Sequence, residues 1–409
     1  MKKKIIGIFV CMLMMTTCVI PVSSTICQSD GKNSTTVEIP DSHIIENIPY
    51  VCQGDRYYCI YASITMIFQY YGLNTSLFEV CFNSGVGYSF GYVVRYPCLG
   101  IWGALISSEA KDRQFLADIY GLNYSYWNVN DDWQIYWTSV KENISKDIPV
   151  TTEIYQDKLP YYEPGDVLAH SPHTIVLSGY NETNHTVSVH DSAAPVGNNT
   201  LLSSGAYIWI PIDSLKNALV VSSDKKYLFE IFVDTSEKPL LKKDAFELAH
   251  ARNIQRMMGN AKVYDKEFIR YKMGGVKKFK PFLGMHALEW LKHSYNIRNI
   301  VLFSIYDKIS GSGYFSTVSD ACWWSYAEKL DMSQYLREHV DWSINASFEA
   351  DLLEIEADIW AFLSWKAYEL YYTPTFRIPA KISIMNDMRD ILDVIISIEE
   401  EILHGPPSE

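Results

Sequence analysis

Cys59 and Gln53 are the first pair of residues whose types and spacing could do chemistry. They lie six positions apart in "YVCQGDRYYCIYASITMIFQYYG", residues 50–72, and Cys59 begins the apolar part of that segment. A thiol at the start of a helix faces unpaired backbone N–H groups and the positive end of the helix dipole, and both favour the thiolate. The Gln53 amide and the Cys59 backbone N–H could then donate to the oxygen of a carbonyl that the thiolate attacks. The pattern predicts a cysteine nucleophile with a glutamine oxyanion donor.

The segment that follows Cys59 has the periodicity of a buried helix. Its apolar residues share one helical face, and Gly72 is a suitable C-terminal stop. The residues of that face are Ile60, Ile64, Ile67, Phe68 and Tyr71. We therefore expect a helix that begins at Cys59 and places the thiol in its first turn.

A base for this thiol is predicted farther along the chain. His173 begins the strand-like run "HTIVLSGY", and Asp191 ends the next such run, 18 residues after His173. That interval suits two adjacent antiparallel strands joined by a short hairpin near "NETN". The imidazole would take the thiol proton, and the carboxylate would fix the imidazole tautomer. Asp166 or another nearby polar residue is the alternative to Asp191 in this role.

Residues 45–215 resemble the bacteriocin-processing, double-glycine leader peptidases, which are papain-like cysteine peptidases. The resemblance rests on "IPYVCQGDRYYCIYASITMIFQYYG" and on "HTIVLSGY" followed by "HDSAAP". It implies an α+β fold in which the Cys helix packs on an antiparallel sheet. It also implies thiol chemistry without a cofactor or a metal, and a peptide or amide substrate. By the same resemblance, the catalytic residues are Cys59, His173, Asp191 and Gln53.

Three positions depart from the pattern of that family. Ile60 follows the cysteine where most relatives have a small residue, and Tyr58 precedes it where Asp is common. The family's Asp-Pro pair is replaced by "DSAAP". None of these changes removes a catalytic atom, so they bear on activity more than on fold.

A second resemblance is to the N-terminal domain of the butirosin biosynthesis protein H type, a papain-like acyltransferase with an extra helical C-terminal part. Residues 84–103, "SGVGYSFGYVVRYPCLGIWG", resemble the glycine-rich and aromatic-rich segment of those proteins. Acyltransferases of that kind take acyl groups from a carrier protein in the cytosol. Since an exported chain would not meet such a carrier, hydrolysis is the preferred reading.

Cys59 also has interpretations without catalysis. Six cysteines follow residue 24, an even number, so Cys59 could pair with Cys52, Cys81 or Cys98 in a secreted protein. It could also be an inert buried thiol. In the same way, Gln53 could be a surface turn residue.

A zinc site is the alternative for the histidines, of which His173 could also be purely structural. Four of them are close in the sequence, but strand alternation would place neighbours on opposite faces, and no Cys-x-x-Cys or His-Glu-x-x-His pattern accompanies them. These four are His170, His173, His185 and His190. We therefore expect no metal.

The first 24 residues have the features of a secretory signal peptide, with three lysines, an apolar run and small residues at the end. An uncleaved anchor and lipidation at Cys27 are the alternatives. We expect a secreted or extracytoplasmic cell-surface protein without a stable membrane span in the mature chain. Asn-x-Ser/Thr sequons are consistent with glycosylation. They lie at Asn33, Asn74, Asn123, Asn143, Asn181, Asn184, Asn198 and Asn345.

The charge of the chain argues against nucleic acid as a partner. The formal net charge is −13, and removal of the three leader lysines makes it −16. Phosphate contacts need a basic surface.

The rest of the chain divides in two after a polar linker at residues 25–44. Residues 45–236 are predicted to form the peptidase-like domain, and "EKPLLKKD" is the predicted hinge. Residues 237–409 have helical periodicity and are predicted to form an all-α bundle. Its Trp and Tyr residues are expected in the bundle core. One apolar stripe is predicted at Phe348, Leu352, Ile355, Ile359 and Phe362.

Two functions from different classes fit these observations. The first is a secreted papain-like cysteine hydrolase. The second is a catalytically inactive papain-like binding module at the cell surface, with the C-terminal helical domain as the site for a cell-surface partner.

Overall fold

The structure, a computed structural model, describes most of the chain after residue 38. The described ranges are 39–94, 99–102, 110–130, 132–163, 172–196, 204–219, 226–260, 280–295, 314–343, 345–374 and 377–406. The predicted signal peptide and residues 25–38 of the predicted linker lie outside them, as do Cys98, Asp166 and His170.

Antiparallel strands dominate the first half of the chain. The strands are β1 (Ser42–Ile44), β2 (Gly91–Val94), β3 (Leu99–Trp102), β4 (Leu122–Asn130), β5 (Val150–Tyr155), β6 (Pro172–Asn181), β7 (Thr186–His190), β8 (Ile208–Pro211), β9 (Lys226–Asp234) and β10 (Lys280–Leu283). The main sheet has the order β4-β9-β5-β6-β7-β8, and β1 pairs with β6. The predicted hairpin of β6 and β7 is present, with Tyr180 opposite Val187. β1 lies within the segment that was predicted to be a linker.

Helices follow most of the strands and make up most of the described residues after Asp234. They are α1 (Cys59–Tyr70), α2 (Leu77–Ser84), α3 (Ala110–Tyr120), α4 (Trp133–Ile144), α5 (Ile212–Ala218), α6 (Lys242–Met257), α7 (Met285–Ser294), α8 (Tyr314–Glu338), α9 (Ala346–Tyr372) and α10 (Ile378–His404). β10 is a short exception in the second half, and it pairs with β2 in a three-stranded sheet of order β10-β2-β3. The predicted α+β class, a Cys helix on an antiparallel sheet followed by a helical region, is confirmed.

The Cys helix α1 packs against β6. Every residue from Ile60 to Phe68 is buried, and the Ser63 hydroxyl donates to the Thr174 carbonyl of β6 at 3.3 Å. Gly72 ends the helix with φ +79°, a left-handed conformation that glycine adopts at low cost. The apolar periodicity of the sequence is thus sufficient to place Cys59 at the first turn.

The buried face of α9 differs from the predicted stripe. Leu352 is buried as expected, but Ile355 is 52% exposed and Phe362 is 48% exposed. The core-facing positions include Glu349 and Glu356. The predicted stripe is therefore wrong at Ile355 and Phe362, whereas Leu352 is buried and Ile359 packs against the core.

Buried ion pairs explain why glutamates of α9 face the core. The Lys329 ammonium lies 2.8 Å from Glu356 and 2.8 Å from Glu399, and Glu349 lies 2.6 Å from the His250 ring. A charge can be buried when it has a hydrogen-bonded partner. A pattern based on apolar residues alone misses such positions.

Aromatic residues of the helical half lie both inside and outside the core. Trp360 is buried and packs on Phe90, with 5.2 Å between ring centroids. Trp323 and Trp365 are more than half exposed. The expectation that these aromatic residues belong to the core is correct only for some of them.

Residues 40–409 form one compact unit. Within it α2 packs against α6 and α8, so helices of the second half contact the first half directly. The boundaries predicted at residues 45, 236 and 237 remain predictions. Among the described helices, none has an apolar stretch long enough to span a membrane.

Candidate active site

Cys59 is the first residue of α1, and its thiol faces β6. Hydrogen bonds join the thiol to the His173 ring and to Thr174. Burial alone would raise the pKa of Cys59, but the charge and hydrogen bond of His173, together with Thr174, lower that pKa below its ordinary value. The start of the helix acts in the same direction, because its N–H groups stabilise negative charge. The position therefore favours a thiolate.

His173 lies near the start of β6, opposite Ile154 of β5, and is almost fully buried. Its Nε2 atom is 2.7 Å from Oδ1 of Asp191, and the ring also hydrogen-bonds to the Cys59 thiol. Burial alone would lower the pKa of His173, but the negative charges of Asp191 and Cys59 raise it to about 10. The lowered thiol pKa and the raised imidazole pKa both favour a thiolate facing an imidazolium.

Asp191 directly follows β7 and is fully buried. Its Oδ1 atom accepts from His173 Nε2 at 2.7 Å and from the Ala193 backbone N–H at 2.9 Å. Its Oδ2 atom accepts from the Tyr161 hydroxyl at 2.8 Å and from the Tyr162 hydroxyl at 3.1 Å. Burial alone would raise the pKa of Asp191, but His173 and these donors lower it. The carboxylate therefore stays ionised beside the imidazole.

The backbone of Asp191 is held by a close approach of Gly205. The Asp191 N–H donates to the Gly205 carbonyl at 2.8 Å, and the Tyr50 hydroxyl donates to the Asp191 carbonyl at 3.2 Å. A Cβ atom at Gly205 would overlap both the Tyr50 hydroxyl and the Asp191 carbonyl oxygen. Only glycine fits this position without displacing Asp191.

Gln53 lies in the turn before α1 and is tied to the residue after Asp191. Its backbone N–H donates to the Ser192 carbonyl at 3.0 Å, and its Oε1 atom accepts from the Ser192 hydroxyl at 2.8 Å. Its Nε2 atom donates to the Arg56 carbonyl at 2.7 Å. Because one amide atom accepts and the other donates, these contacts fix the orientation of the amide.

The two residues that flank Cys59 are buried. Ile60 is 8% exposed and belongs to the packed face of α1. Tyr58 is 2% exposed, and its hydroxyl donates to Asp331 of α8 at 2.8 Å. Packing therefore accommodates both departures from the resembled pattern.

The described cysteines carry free thiols, so the structure contains neither a Cys52–Cys59 nor a Cys59–Cys81 disulfide. Cys52 is exposed. Cys81 and Cys322 are buried, and burial raises the pKa of each. Cys59 differs from these two buried thiols because its pKa is lowered.

The three described histidines of the zinc alternative, His173, His185 and His190, do not converge on a metal site, and His170 lies outside the described residues. His185 is exposed in the turn between β6 and β7, and its ring is 3.6 Å from Asp213. His190 is buried at the end of β7 with no hydrogen-bond partner on either ring nitrogen. Over the ranges that the structure describes, no group of three or more potential ligands is close enough to hold a metal ion.

Tyr161, Tyr162 and Ser192 are site neighbours that the sequence did not reveal. Tyr161 and Tyr162 follow the short 3-10 helix Gln156–Lys158 after β5, about thirty residues before the carboxylate to which they donate. No periodicity or motif marks them, because their role depends on how that turn folds over the end of β7.

Comparison with known proteins is consistent with this geometry. Residues 45–212 match the model of the Peptidase_C39 like family, which covers somewhat less than half of the chain. Neither the curated proteins nor the solved structures gave a significant match. The matched segment contains α1, β6 and β7, and with them all four predicted site residues. Residues 45–212 are thus similar to the Peptidase_C39 like family, which is consistent with a domain of the papain-like cysteine peptidase type.

Proposed function

We propose that this protein is a secreted cysteine hydrolase that cleaves a peptide or a related amide bond. The observation that carries the proposal is the hydrogen-bonded series Cys59, His173 and Asp191, in which the thiol pKa is lowered and the imidazole pKa is raised. A histidine and a cysteine with a purely structural role need neither a lowered thiol pKa nor a raised imidazole pKa. The signal-like first 24 residues support secretion.

The first half of the reaction uses the thiolate and the oxyanion donors. The Cys59 sulfur attacks the carbonyl carbon and forms a C–S bond, which moves an electron pair onto the carbonyl oxygen. The Cys59 backbone N–H and the Gln53 amide donate to that oxygen, and Nε2 of Gln53 has a second hydrogen besides the one given to Arg56. The C–N bond then breaks, and His173 gives its proton to the departing amine.

The second half releases the acyl group. His173, now neutral, takes a proton from water, and the hydroxide forms a C–O bond at the thioester carbon. Collapse of this second tetrahedral intermediate breaks the C–S bond and releases a carboxylic acid, and Cys59 and His173 return to their charged pair. Asp191 keeps the ring oriented through both halves and stabilises the imidazolium.

Alkylation of the folded protein tests the activated thiol. Iodoacetamide is added at pH 5.5, and labelling of each cysteine is followed by mass spectrometry. Cys59 should react at least tenfold faster than Cys52, an exposed thiol that serves as the internal control. His173→Ala should remove that advantage. Slow labelling of Cys59 would instead favour an inactive binding module.

Hydrolysis is tested with a proteome-derived peptide library. Wild-type protein should create new peptide termini that are absent with Cys59→Ala. If Cys59 is reactive but no peptide is cut, while a small acyl thioester transfers its acyl group to an amine, the acyltransferase alternative replaces hydrolysis.

A further inference from the structure

Asp331 of α8 contacts the segment that connects Gln53 to Cys59. Nε of Arg56 lies 2.9 Å from Asp331 Oδ2, and Nη2 of Arg56 lies 3.1 Å from Oδ1. The Tyr58 hydroxyl adds a third donor to the same carboxylate at 2.8 Å. Asp331 is almost fully buried, while the Arg56 side chain is 32% exposed, so this bidentate pair is partly shielded from solvent.

Arg56 links Asp331 to the candidate oxyanion donor. Its backbone carbonyl accepts from Nε2 of Gln53 at 2.7 Å, while its guanidinium is held by Asp331. The hydrogen bond to Asp331 raises the pKa of Arg56, so its charge is secure. Arg56 therefore connects α8 to the amide of Gln53: its side chain is hydrogen-bonded to Asp331, and its backbone carbonyl is hydrogen-bonded to Gln53.

Other contacts place α8 along the same segment. The Tyr57 ring packs on Trp324 of α8, with 4.7 Å between ring centroids. The Gly87 backbone N–H, after α2, donates to Glu328 at 3.1 Å. Besides Asp331, α8 thus contacts the turn through Trp324 and the loop after α2 through Glu328.

We propose that Asp331 is a positioning residue for the candidate active site. It holds the Arg56 carbonyl, and through it the Gln53 amide, in the orientation needed to receive an oxyanion. The helical second half of the chain then supplies part of the site's support. This inference rests on the proposed function and goes beyond it, since the family match ends at residue 212.

The test separates acylation from alkylation. p-Nitrophenyl acetate acylates a thiolate through a tetrahedral oxyanion, whereas iodoacetamide alkylates it without one. Both rates are measured at Cys59 by mass spectrometry in the full-length chain.

Asp331→Asn keeps the shape of the side chain but turns an NH2 group toward Arg56 or Tyr58. It should lower the acylation rate about tenfold or more, because small displacements of a positioned group have effects of this size. The alkylation rate should stay within about threefold of wild type.

Two comparisons distinguish positioning from a general loss of stability. Ser333→Ala removes a buried hydrogen bond from α8 to α9 without touching the Gln53 segment, and it should leave acylation unchanged. In a Gln53→Ala background, Asp331→Asn should reduce acylation no further, because the donor it positions is already gone. Tyr58→Phe, a milder change, should give an intermediate effect in a protein that retains the other two hydrogen bonds.

Hydrogen exchange gives a readout that needs no activity. Amides of residues 51–58 should exchange faster in Asp331→Asn than in wild type or in Ser333→Ala. Three results for Asp331→Asn would overturn the proposal: unchanged hydrogen exchange, acylation at the wild-type rate, or an equally large decrease in the acylation rate when the variant is made in the Gln53→Ala background. Failure of the proposed function has a different result, namely a wild-type Cys59 that alkylates no faster than Cys52.

Discussion

Nε2 of His173 lies 2.7 Å from Oδ1 of Asp191, and both side chains are almost wholly excluded from solvent. The carboxylate is ionised because the imidazolium and three further donors surround it, and its charge in turn keeps His173 protonated. The state of the Cys59 thiol therefore depends on a carboxylate that it does not touch.

Asp191→Asn should shift the reactivity of Cys59 to higher pH. Removal of one negative charge destabilises the imidazolium, so the pKa of His173 falls. The positive charge beside the thiol is then partly lost, and the pKa of Cys59 rises. The midpoint of the alkylation rate against pH should move upward by about one unit or more. Asp213→Asn, a change at an exposed carboxylate beside His185, is the control and should leave the midpoint in place. An unmoved midpoint in Asp191→Asn would contradict the assigned role.

Tyr161→Phe and Tyr162→Phe should make the site more sensitive to acid. Each variant loses a hydroxyl that donates to Oδ2 of Asp191, and a hydrogen bond to a charged group contributes about 1.5–3 kcal/mol. The pKa of Asp191 should rise, so its protonation and the loss of Cys59 alkylation begin at higher pH. The double variant should show the larger shift. Tyr126→Phe, on the exposed side of β4, should show none.

Gln53→Ala should reduce acylation of Cys59 much more than alkylation. Loss of one oxyanion donor lowers the rate of acyl transfer by about 10²–10³-fold, whereas attack on iodoacetamide forms no oxyanion. The measurement is the ratio of the two rates at Cys59. Ser192→Ala removes only the hydroxyl that fixes Oε1 of Gln53, so its effect should be smaller. Equal loss of both rates would mean that Gln53 has a structural role alone.

The sequence was sufficient for those parts of the site that depend on local periodicity. The apolar face after Cys59 predicts α1, and the strand-like runs that begin at His173 and end at Asp191 predict the antiparallel pair of β6 and β7. His173 and Asp191 are 18 positions apart, a separation that one hairpin can bring together. In each case the residues of one short segment are enough to predict its secondary structure.

Contacts between distant segments could not be predicted in this way. Arg56 and Asp331 are separated by 275 positions, and a charged residue within a helical pattern is ordinarily assigned to the solvent-facing side. The same assumption produced the wrong stripe on α9, where Glu356 faces the core because Lys329 is buried opposite it. Partner identity, rather than residue type, decides which charges are buried.

Lys329→Met should destabilise the fold by about 3–5 kcal/mol, because it leaves buried carboxylates without their cation. Glu356 and Glu399 each lie 2.8 Å from the ammonium group. Urea unfolding at pH 7 measures the loss. Replacement of all three residues by Met or Leu should recover most of the stability. A single variant as stable as wild type would contradict the buried network.

His190 is a second titratable group in the hairpin, and it has no role in the proposed mechanism. Its ring packs edge-on against Tyr207, with centroids 4.3 Å apart, and neither nitrogen has a hydrogen-bond partner. Burial lowers the pKa of His190 to about 4, so the folded protein holds this ring neutral.

His190→Phe should remove part of the acid sensitivity of the fold. In the unfolded chain histidine has a pKa of about 6.5, so between pH 6.5 and pH 4 the unfolded state binds more protons than the folded state. Stability is therefore lost as the pH falls through this window, by about 1.4 kcal/mol per unit and about 3 kcal/mol in all.

Urea unfolding at pH 7, 5.5 and 4.5 should show a shallower decline of stability with falling pH in His190→Phe than in wild type. His185→Asn, an exposed position of the same hairpin with φ +53°, is the control and should follow wild type. Parallel declines for all three proteins would show that His190 is not the group that titrates.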